Sequence, residues 1–370
     1  MKISVCYIVK NEEKTLPLSL ETVQPFADEL IIVDTGSTDH TRQIASAAGA
    51  LVLDFTWRDD FAAARNFALD HATGDWIVFP DADEGFLYPE RVRRKIMEID
   101  AHIPPADAAM ITLVNLDPEA GQSKGNLRVV RLFRRIPELR YQGRIHENIT
   151  HFGGTLRLYQ DDDALSMYHT GYADSVGTKK AERNLQILQQ EIAKHGEQPW
   201  QYMYLADCYL GIKDYKRAMK NAILALDSPI QPVASRVGIF HVAIESMRQL
   251  DWPLEEQLAL ANMAMAEYPD QPEFYGERGM ILCAMDRLKE ARASLQKAAA
   301  LYETPEAPPT AETYFNASSA AAVYARLGEL EAIRENRDAA EAYFQKAMAE
   351  DGTNEAIREK YERFLRESRS

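Results

Sequence analysis

The stretch WIVFPDADEGF, residues 76–86, brings three carboxylates together within four positions. Asp81, Asp83 and Glu84 follow an apolar run that is typical of a buried strand. Like charges this close resist ionisation unless a positive charge lies among them. In an extended segment residues i and i+2 point to the same side, so Asp81 and Asp83 can face one ion. Carboxylate oxygens suit Mn²⁺ or Mg²⁺, which also bind diphosphate oxygens, so the stretch predicts a divalent cation that carries a nucleotide diphosphate.

The elements that must position these carboxylates alternate between strand and helix as far as about residue 170. ISVCYIV, ELIIVD, ALVLDF and DWIVFPD are short apolar runs typical of buried strands, with helix-like segments between them. This alternation predicts parallel strands joined by right-handed crossovers, and ligands bind outside the carboxyl ends of such strands. Asp also favours loops and caps for structural reasons alone. The strand exits carry Lys10-Asn11-Glu12, Asp34, Asp54 and Asp81.

Local signals predict where the first helices begin and end. We expect Asn11 to cap the first helix and either Ser37 or Thr38 to cap the second, because short polar side chains accept from exposed backbone N–H groups. Gly49 is expected to end the second helix in the left-handed conformation.

A basic segment stands out in an otherwise acidic chain. KGNLRVVRLFRRIPELRYQGR carries Arg128, Arg131, Arg134, Arg135, Arg140 and Arg144. Because guanidinium groups match phosphate oxygens, one of them is expected to bind the diphosphate, and we choose Arg131. The others are expected to form a solvated strand face or to pair with acidic residues.

Composition excludes several classes of protein. The 370 residues carry a formal charge of −15, which disfavours nonspecific binding to nucleic acid or to an anionic membrane. Cys6, Cys208 and Cys283 are far apart in apolar surroundings and form neither a disulfide framework nor a metal knuckle, so buried free thiols are expected. The N-terminus predicts a strand rather than a signal peptide, and no run is long enough to span a membrane. A cytoplasmic location is expected.

From about residue 179 the pattern becomes helical only. Residues 199–229 and 272–305 show the spacing of tetratricopeptide repeats, and ALANMAMAEYPD and DAAEAYFQKAMAEDG resemble the second helices of two less regular units. We therefore predict two domains, a nucleotide-binding α/β domain over 1–178 and a helical-repeat domain over 179–370. The aromatic and Met positions of the repeats are expected to form a core, with a peptide-binding groove as the alternative. The residues at tetratricopeptide spacing in the first repeat are Leu205, Ala206, Tyr209, Tyr215, Ala218 and Ala225.

The chain resembles the family 2 glycosyltransferases of the GT-A fold. The similarity runs through VCYIVKNEEKTL, ADELIIVDTGSTDHT, DDFAAARNFAL and GDWIVFPDADE, and then through RLFRR, YQGRIHENI and YHTGY. Followed by helical repeats, this order is similar to the family 2 transferases with tetratricopeptide repeats, a group that includes peptide glycosyltransferases of the sublancin type. The resemblance implies a Rossmann-like, mostly parallel sheet followed by an all-α repeat domain, and it covers essentially the whole chain.

The resemblance also implies roles for individual residues. Asp34 would accept a hydrogen bond from uracil, Glu12 would face the nucleoside, and Arg65 would steady Asp81 or the phosphates. Each has a structural alternative: a turn-forming aspartate, a glutamate near a helix start, and an internal helix salt bridge. The full set implied for the nucleotide sugar is Val9, Asn11, Glu12, Asp34, Arg65, Asp81, Ala82, Arg131 and His146.

Metal binding and proton transfer are assigned in the same way. Asp83 would bind Mn²⁺ or Mg²⁺ directly, and Asp81 would bind the metal or the ribose. His169 would complete the metal shell, with His146 as the alternative ligand or a diphosphate contact. Sugar transfer needs a base, for which Glu147 is the first choice and Glu84 the second. Packed histidines and a supporting glutamate are the structural alternatives.

Together these features predict an inverting hexosyl- or N-acetylhexosaminyltransferase that uses a nucleotide sugar. UDP and inversion follow from the resemblance. The acceptor is expected to be a peptide or protein, with a glycan or a lipid-linked acceptor still open, and the repeats would dock it or form a homodimer. A nucleotidyltransferase should have a glycine-rich loop after the first strand, and YIVKNEE has no glycine. The remaining alternative is a repeat scaffold with an inactive transferase domain.

Overall fold

The computed structural model describes residues 1–116, 123–160, 164–170, 174–228, 236–303 and 317–367. The strands are β1 (Ile3–Val9), β2 (Glu29–Asp34), β3 (Leu51–Asp54), β4 (Trp76–Val78), β5 (Glu84–Phe86), β6 (Ala108–Leu116), β7 (Ser123–Arg134), β8 (Leu139–Gln142), β9 (Asn148–His151), β10 (Leu158–Gln160) and β11 (Met167–His169). The helices between them are α1 (Leu16–Val23), α2 (Thr41–Ala47), α3 (Phe61–His71) and α4 (Pro89–Asp100).

One large sheet holds most of the strands, in the order β3-β2-β1-β4-β7-β6-β11-β5, and β10 pairs with β6 beside this path. The predicted parallel strands are confirmed, because β1 pairs in parallel with both β2 and β4, and β2 pairs in parallel with β3. Beyond β4 the sheet is mixed: β7 is antiparallel to β4, and β11 is parallel to β6 but antiparallel to β5. Strands β8 and β9 form a separate antiparallel hairpin.

The first strand is buried on both faces, as its continuous apolar run predicts. Ile3, Val5 and Tyr7 pack into one core cluster, while Cys6 packs into the cluster on the other face. This period of two residues fixes which side chains lie against the helices. Because β1, β2, β3 and β4 run parallel, the polar residues that follow them lie at the same edge of the sheet.

Two of the predicted helix caps are wrong. Helix α1 is capped at Thr15, and Asn11 lies before it with φ of 58°. Helix α2 is capped at His40, because Ser37 and the residues after it form the turn that leads from β2 to the helix. The predicted end of α2 is confirmed, since Gly49 follows the C-cap residue with φ of 79°.

The second half of the chain consists of helices, as predicted. They are α5 (Asp174–His195), α6 (Gln201–Gly211), α7 (Tyr215–Leu226), α8 (Arg236–Gln249), α9 (Leu254–Glu267), α10 (Pro272–Ala284), α11 (Leu288–Glu303), α12 (Ala317–Ile333), α13 (Arg337–Glu350) and α14 (Glu355–Glu367). Helices α6 and α7, and α10 and α11, are the two predicted repeats. The two segments predicted as second helices are α9 and α13, which follow α8 and α12.

The four helix pairs share one turn geometry. In each pair a residue just after the first helix adopts positive φ: Lys213, Asp251, Asp286 and Glu335, with φ between 50° and 61°. The helices of a pair also approach closely at small residues. A Cβ on Gly279 of α10 would lie 2.5 Å from Leu295 Cγ of α11, so this position requires glycine.

The chain divides into two compact units, and the division runs through α5. The first unit holds most of the sheet and the second holds the helices from α6 onward. The predicted boundary between residues 178 and 179 stays a prediction. In the part of the chain that the structure describes, every helix is too short or too polar to cross a membrane.

Candidate active site

The acidic stretch after β4 forms a turn rather than an extended strand end. Strand β4 ends at Val78, and the Glu84 backbone N–H donates to the Asp81 carbonyl over 3.0 Å. The prediction that Asp81 and Asp83 lie on one side of an extended segment is therefore wrong. The turn directs the two carboxylates to different partners.

Arg131 of β7 binds two of the three carboxylates. Its Nε and Nη2 donate to the two oxygens of Glu84 over 2.8 and 2.7 Å, and Nη2 also donates to Asp81 Oδ2 over 2.7 Å. Glu84 is 1% exposed, and its Oε2 accepts the Asp81 backbone N–H as well. Burial raises the pKa of the Glu84 carboxyl, and the Arg131 charge opposes that rise.

Arg65 of α3 binds Asp81 from the other side. Asp60 caps this helix by accepting from the Ala63 backbone N–H, which sets the start of α3. Arg65 Nη2 donates to Asp81 Oδ1 over 2.7 Å, and Nε donates to Glu147 Oε1 over 2.6 Å. Asp81, Glu84, Glu147, Arg65 and Arg131 are called the arginine side of the turn below.

Two buried polar atoms of this region are not used by the network. The Arg65 guanidinium lies over the rings of Phe79 and Tyr141, 4.7 and 5.2 Å from their centroids. Among the described residues, neither Arg65 Nη1 nor Tyr141 Oη has a hydrogen-bond partner. Buried polar atoms of this kind point to a ligand or to ordered water.

The predicted source of positive charge beside the carboxylates needs correction. The positive charges beside Asp81 and Glu84 are the guanidinium groups of Arg65 and Arg131, not a cation alone. The alternative of Glu84 as the base conflicts with its burial, because a base must contact the acceptor. Glu147 is more accessible, with 11% of its side chain exposed.

Asp83 faces a histidine instead. His169 Nε2 lies 3.2 Å from Asp83 Oδ2, and His169 Nδ1 lies 3.0 Å from Asn115 Oδ1. The Thr170 backbone N–H and hydroxyl both donate to the Asp83 carbonyl, over 3.1 and 3.2 Å, which fixes the turn against the end of β11. Asp83, His169, Asn115 and Thr170 are called the histidine side below.

The exits of β1 and β2 lie at the same edge of the sheet. Asp34 is 3% exposed and accepts from the Ser37 backbone N–H and from Arg42 Nη1, over 3.2 and 2.9 Å. Burial alone would raise the pKa of Asp34, but these hydrogen bonds hold it below its usual value. Arg42 also binds Asp54, at the end of the neighbouring β3. The Asp34 carboxylate is therefore ionised and can only accept.

Glu12 extends the acidic region toward β1. Its carboxylate accepts from the Thr15 hydroxyl over 2.6 Å. Burial raises the pKa of Glu12 against this hydrogen bond, and the negative charges of Asp83 and Asp81 raise it further. The exit of β1 and the acidic turn thus share one electrostatic environment.

The remaining predicted residues take these positions. Val9 is buried, and its carbonyl accepts from the backbone N–H and hydroxyl of Thr35. Asn11 is exposed, and its side-chain oxygen accepts from the Thr38 N–H over 2.8 Å. Ala82 is buried in the acidic turn, and His146 precedes Glu147 with φ of 53°. Their roles in nucleotide binding stay predictions.

The other arginines of the basic segment have structural partners. Arg134 and Arg140 pair with Asp100 and Asp70, as expected for pairing with acidic residues. Arg128, Arg135 and Arg144 donate to backbone carbonyls of other segments. Arg131 is thus the member of the segment that binds the acidic turn.

Sequence reasoning missed Asn115, Arg42 and Tyr141. Asn115 lies within an apolar strand pattern, AAMITLVNL, where a single polar residue gives no sign of its partner. Arg42 is one of many basic residues on predicted helix faces. The register of β6 and β11 brings Asn115 to His169, α2 brings Arg42 to Asp34, and β8 brings Tyr141 against Arg65.

Comparison with known proteins identifies the family. The model for glycosyl transferase family 2 matches residues 4–164. A TPR repeat-containing protein from Synechococcus elongatus is 31% identical over 312 residues, which cover 79% of this chain and 75% of that protein. The chain contains a family 2 glycosyltransferase domain. It is an enzyme with a transferase domain followed by helical repeats.

Two further comparisons place this glycosyltransferase among its relatives. The SPbeta prophage-derived glycosyltransferase SunS of Bacillus subtilis is 27% identical over 212 residues, 56% of this chain and about half, 49%, of SunS. Glucosyl-3-phosphoglycerate synthase from Mycobacterium tuberculosis, solved in complex with Mn²⁺, UDP and glucosyl-3-phosphoglycerate, is 27% identical with a TM-score of 0.26. The match covers 31% of this chain and 43% of that chain.

Proposed function

We propose that this enzyme moves a sugar from a UDP-sugar to a peptide or protein acceptor, with a divalent cation held by Asp83 and His169. The observation that carries the proposal is the contact between these two residues at the ligand-binding edge of the sheet, 3.2 Å between Nε2 and Oδ2. The family supplies the reaction, glycosyl transfer. The donor, the cation and the acceptor are the proposed parts.

The donor atoms of the histidine side fit a divalent cation. A carboxamide oxygen can only accept, so the hydrogen bond to Asn115 places a proton on His169 Nδ1. A cation bound here would displace any proton on Nε2, and this nitrogen and the Asp83 carboxylate oxygen, 3.2 Å apart, suit Mn²⁺ or Mg²⁺ as ligands.

Protein ligands alone do not complete such a shell. Within the described residues, no three His, Cys, Asp or Glu side chains are grouped to hold a metal ion. Diphosphate oxygens and water would supply the other ligands, as is usual for these ions in nucleotide sites. When bound, the cation neutralises charge on the departing diphosphate.

The arginine side would hold the rest of the donor and its environment. Arg65 Nη1 and Tyr141 Oη are buried and unpaired among the described residues, so both can donate to a phosphate or sugar oxygen. Arg131 keeps Asp81 and Glu84 in place. In this role Asp81 is a fixed acceptor for the ribose or the cation, while the phosphate role predicted for Arg131 becomes indirect.

The nucleoside would bind at the exits of β1 and β2. Asp34 is an acceptor without a proton to donate, which matches the N3–H of uracil and not the bare N3 of cytosine. Glu12 is close enough to the acidic turn for the charges of Asp83 and Asp81 to raise its pKa, and it would lie near the ribose of a nucleotide bound along the edge. This chemistry favours a uridine nucleotide over a cytidine nucleotide.

Glu147 would act as the base. Its Oε1 accepts from Arg65, which orients the carboxylate, and its side chain is partly accessible. The carboxylate would take the acceptor proton while the acceptor attacks C1 of the sugar and the UDP leaves from the opposite face. This in-line displacement inverts the anomeric centre.

The peptide or protein acceptor is proposed from the helical repeats. Stacked helix pairs form extended surfaces that commonly bind other chains. The test is a mass shift of a polypeptide incubated with the enzyme and a UDP-sugar. Transfer only to a free glycan or a lipid-linked sugar would contradict a polypeptide acceptor without affecting the donor assignment.

The donor is tested by thermal unfolding with UDP, GDP, CDP and dTDP, each with Mn²⁺ and with chelator, followed by UDP release from a panel of UDP-sugars. A nucleotide at 100 times its Kd should add about 2.7 kcal/mol of stability. We expect stabilisation by UDP with Mn²⁺ and weaker stabilisation by CDP. Binding without any metal-dependent turnover would favour the inactive scaffold.

A further inference from the structure

Arg42 of α2 joins the ends of two neighbouring strands. Asp34 and Asp54 are partners in the parallel register of β2 and β3. Arg42 Nη1 donates to Asp34 Oδ2 over 2.9 Å and also donates to Asp54 Oδ1, so one nitrogen bridges the two carboxylates. The Asp54 side chain is 80% exposed and water can solvate it, whereas Asp34 is buried. Asp34 is therefore the partner whose charge depends on this contact.

The hydrogen bonds of Asp34 set its orientation and leave it able to accept a further donor. Its two oxygens share the Ser37 backbone N–H, at 3.2 Å each, and Oδ2 also accepts from Arg42. An ionised carboxylate has about four acceptor positions. An acceptor that is already oriented binds one N–H group of a ligand with little further cost in freedom.

Uracil and cytosine differ at the atom that such an acceptor would meet. N3 of uracil carries a hydrogen and donates, whereas N3 of cytosine carries a lone pair and only accepts. A site built to accept an N–H group rejects an analogue that lacks it, because the polar group of the site is then left unpaired. A protonated Asp34 could instead donate to N3 of cytosine, and the distinction would be lost.

We propose that Arg42 is a positioning residue that holds Asp34 as an ionised acceptor of fixed orientation and thereby sets a preference for uridine over cytidine nucleotides. The inference rests on the proposed function, because it explains base selection at the same site. Without the guanidinium, Asp34 and Asp54 would lose the positive charge that they share, and the buried Asp34 would bind a proton or rotate more readily. Arg42 acts through Asp34 and not on the base itself.

The test is calorimetric titration of UDP and of CDP, each with Mn²⁺, into the wild type, Arg42→Met and Arg42→Lys. In Arg42→Met the ratio of UDP to CDP affinity should fall about tenfold, the effect of one lost charged hydrogen bond. A general loss of stability would not change this ratio. Lysine can place its ammonium where Nη1 bonds both carboxylates, so Arg42→Lys should keep the ratio within about threefold of the wild type.

The matched control is Arg93→Met. Arg93 forms a similar pair with Asp28, 2.8 Å between Nη2 and Oδ1, and Asp28 accepts from the Ile3 backbone N–H at the start of β1, at the opposite edge of the sheet. Arg93→Met should keep the wild-type ratio. An unchanged ratio in Arg42→Met, or an equal fall in Arg42→Lys or Arg93→Met, would overturn the proposal.

Asp34→Asn separates this inference from the proposed function. The asparagine amide can donate to N3 of cytosine, so the ratio should fall further than in Arg42→Met. A ratio that Asp34→Asn leaves unchanged, or a wild type that binds neither nucleotide, would contradict the proposed nucleoside position itself. A fall in Asp34→Asn with none in Arg42→Met would contradict only the role of Arg42.

Discussion

The two sides of the acidic turn differ in how their charges are compensated. On the arginine side, Asp81 and Glu84 bind Arg131, and Asp81 also binds Arg65. On the histidine side, Asp83 faces His169 Nε2, and the other ring nitrogen of His169 lies 3.0 Å from Asn115 Oδ1. Two neighbouring carboxylates of one motif thus have different chemical surroundings.

This difference separates the part of the site that stabilises the fold from the part that binds a ligand. The arginine side is a largely buried network in which protein groups balance the charges of the carboxylates, so it should matter for folding with or without ligand. The histidine side places two lone-pair donors together and should gain most from a cation. Substitutions on the two sides should therefore have separable effects on stability and on binding.

The largest effect is expected from Arg131→Met. The substitution leaves the buried Glu84 without its guanidinium and leaves Asp81 with Arg65 alone, which should lower the free energy of unfolding by about 3–5 kcal/mol. Urea unfolding followed by circular dichroism measures this loss, and added Mn²⁺ should not restore it. Arg140→Met is the control, because Arg140 pairs with the exposed Asp70 and should cost less than about 1 kcal/mol.

Glu147→Gln should reduce turnover far more than stability. The glutamine oxygen still accepts from Arg65, but the side chain cannot take a proton, so kcat should fall about 10²–10⁴-fold. The measurement is UDP release with a saturating UDP-sugar and acceptor. Glu138→Gln, on an exposed residue just before β8, serves as the control. Full activity in Glu147→Gln would move the base elsewhere.

Arg42→Met tests whether an arginine stabilises Asp34 in the folded state, as Arg131 stabilises Asp81 and Glu84. Losing this hydrogen bond should cost about 1 kcal/mol of stability at pH 7. The pKa of Asp34 is lowered in the folded state, so its contribution is present above the unfolded pKa of about 3.9 and is lost as pH falls through the folded pKa.

The difference between wild type and Arg42→Met should therefore shrink in unfolding curves recorded below about pH 4. Ser37 and Asp54 are the other polar groups at this point, and both remain in the variant. Arg94→Met is the control, because Arg94 is exposed and its ion pair with Glu98 is long, at 3.8 Å. A difference that grows toward low pH would contradict the assigned sign.

Thr170→Val should have the smallest effect. Valine removes one of the two hydrogen bonds to the Asp83 carbonyl and keeps the one from the backbone N–H. The free energy of unfolding should therefore fall by about 0.5–1 kcal/mol. If the same free energy is lost from UDP binding, Mn²⁺-dependent UDP affinity should fall by a factor of about 2–5. Thr150→Val on β9 should change nothing measurable. A loss as large as that of Arg131→Met would show that the two sides are not separate.

The sequence predicted the strands that begin the sheet and the site at their carboxyl edge. Apolar runs such as ISVCYIV are buried on both faces in β1, and that local pattern is sufficient to recognise them. The short strands β5, β10 and β11 were not predicted, because three residues carry too little periodicity. The predicted caps at Asn11 and Ser37 were wrong because the loops after β1 and β2 bind each other. The Asn11 backbone N–H donates to the Ser37 hydroxyl, and the Thr38 backbone N–H donates to the Asn11 side-chain oxygen.

Within the site, residue types were predicted more readily than their pairings. Asp81, Glu84, Glu147, Arg65 and Arg131 were all recognised as candidates, but the ion pairs that join them connect positions 16 to 82 residues apart. Such pairings depend on strand order and register, which a local pattern does not contain. In the repeats, where contacts lie between neighbouring helices, two helix pairs were read directly from their spacing.

The most direct test of the difference between the two sides is calorimetric titration of UDP into the wild type and Asp83→Asn, each with Mn²⁺ and with chelator. We expect wild-type affinity to rise at least about tenfold with Mn²⁺, equivalent to about 1.4 kcal/mol, and the rise to disappear in Asp83→Asn while its unfolding curve is unchanged. Equal UDP affinity with and without Mn²⁺ in the wild type would contradict the cation site.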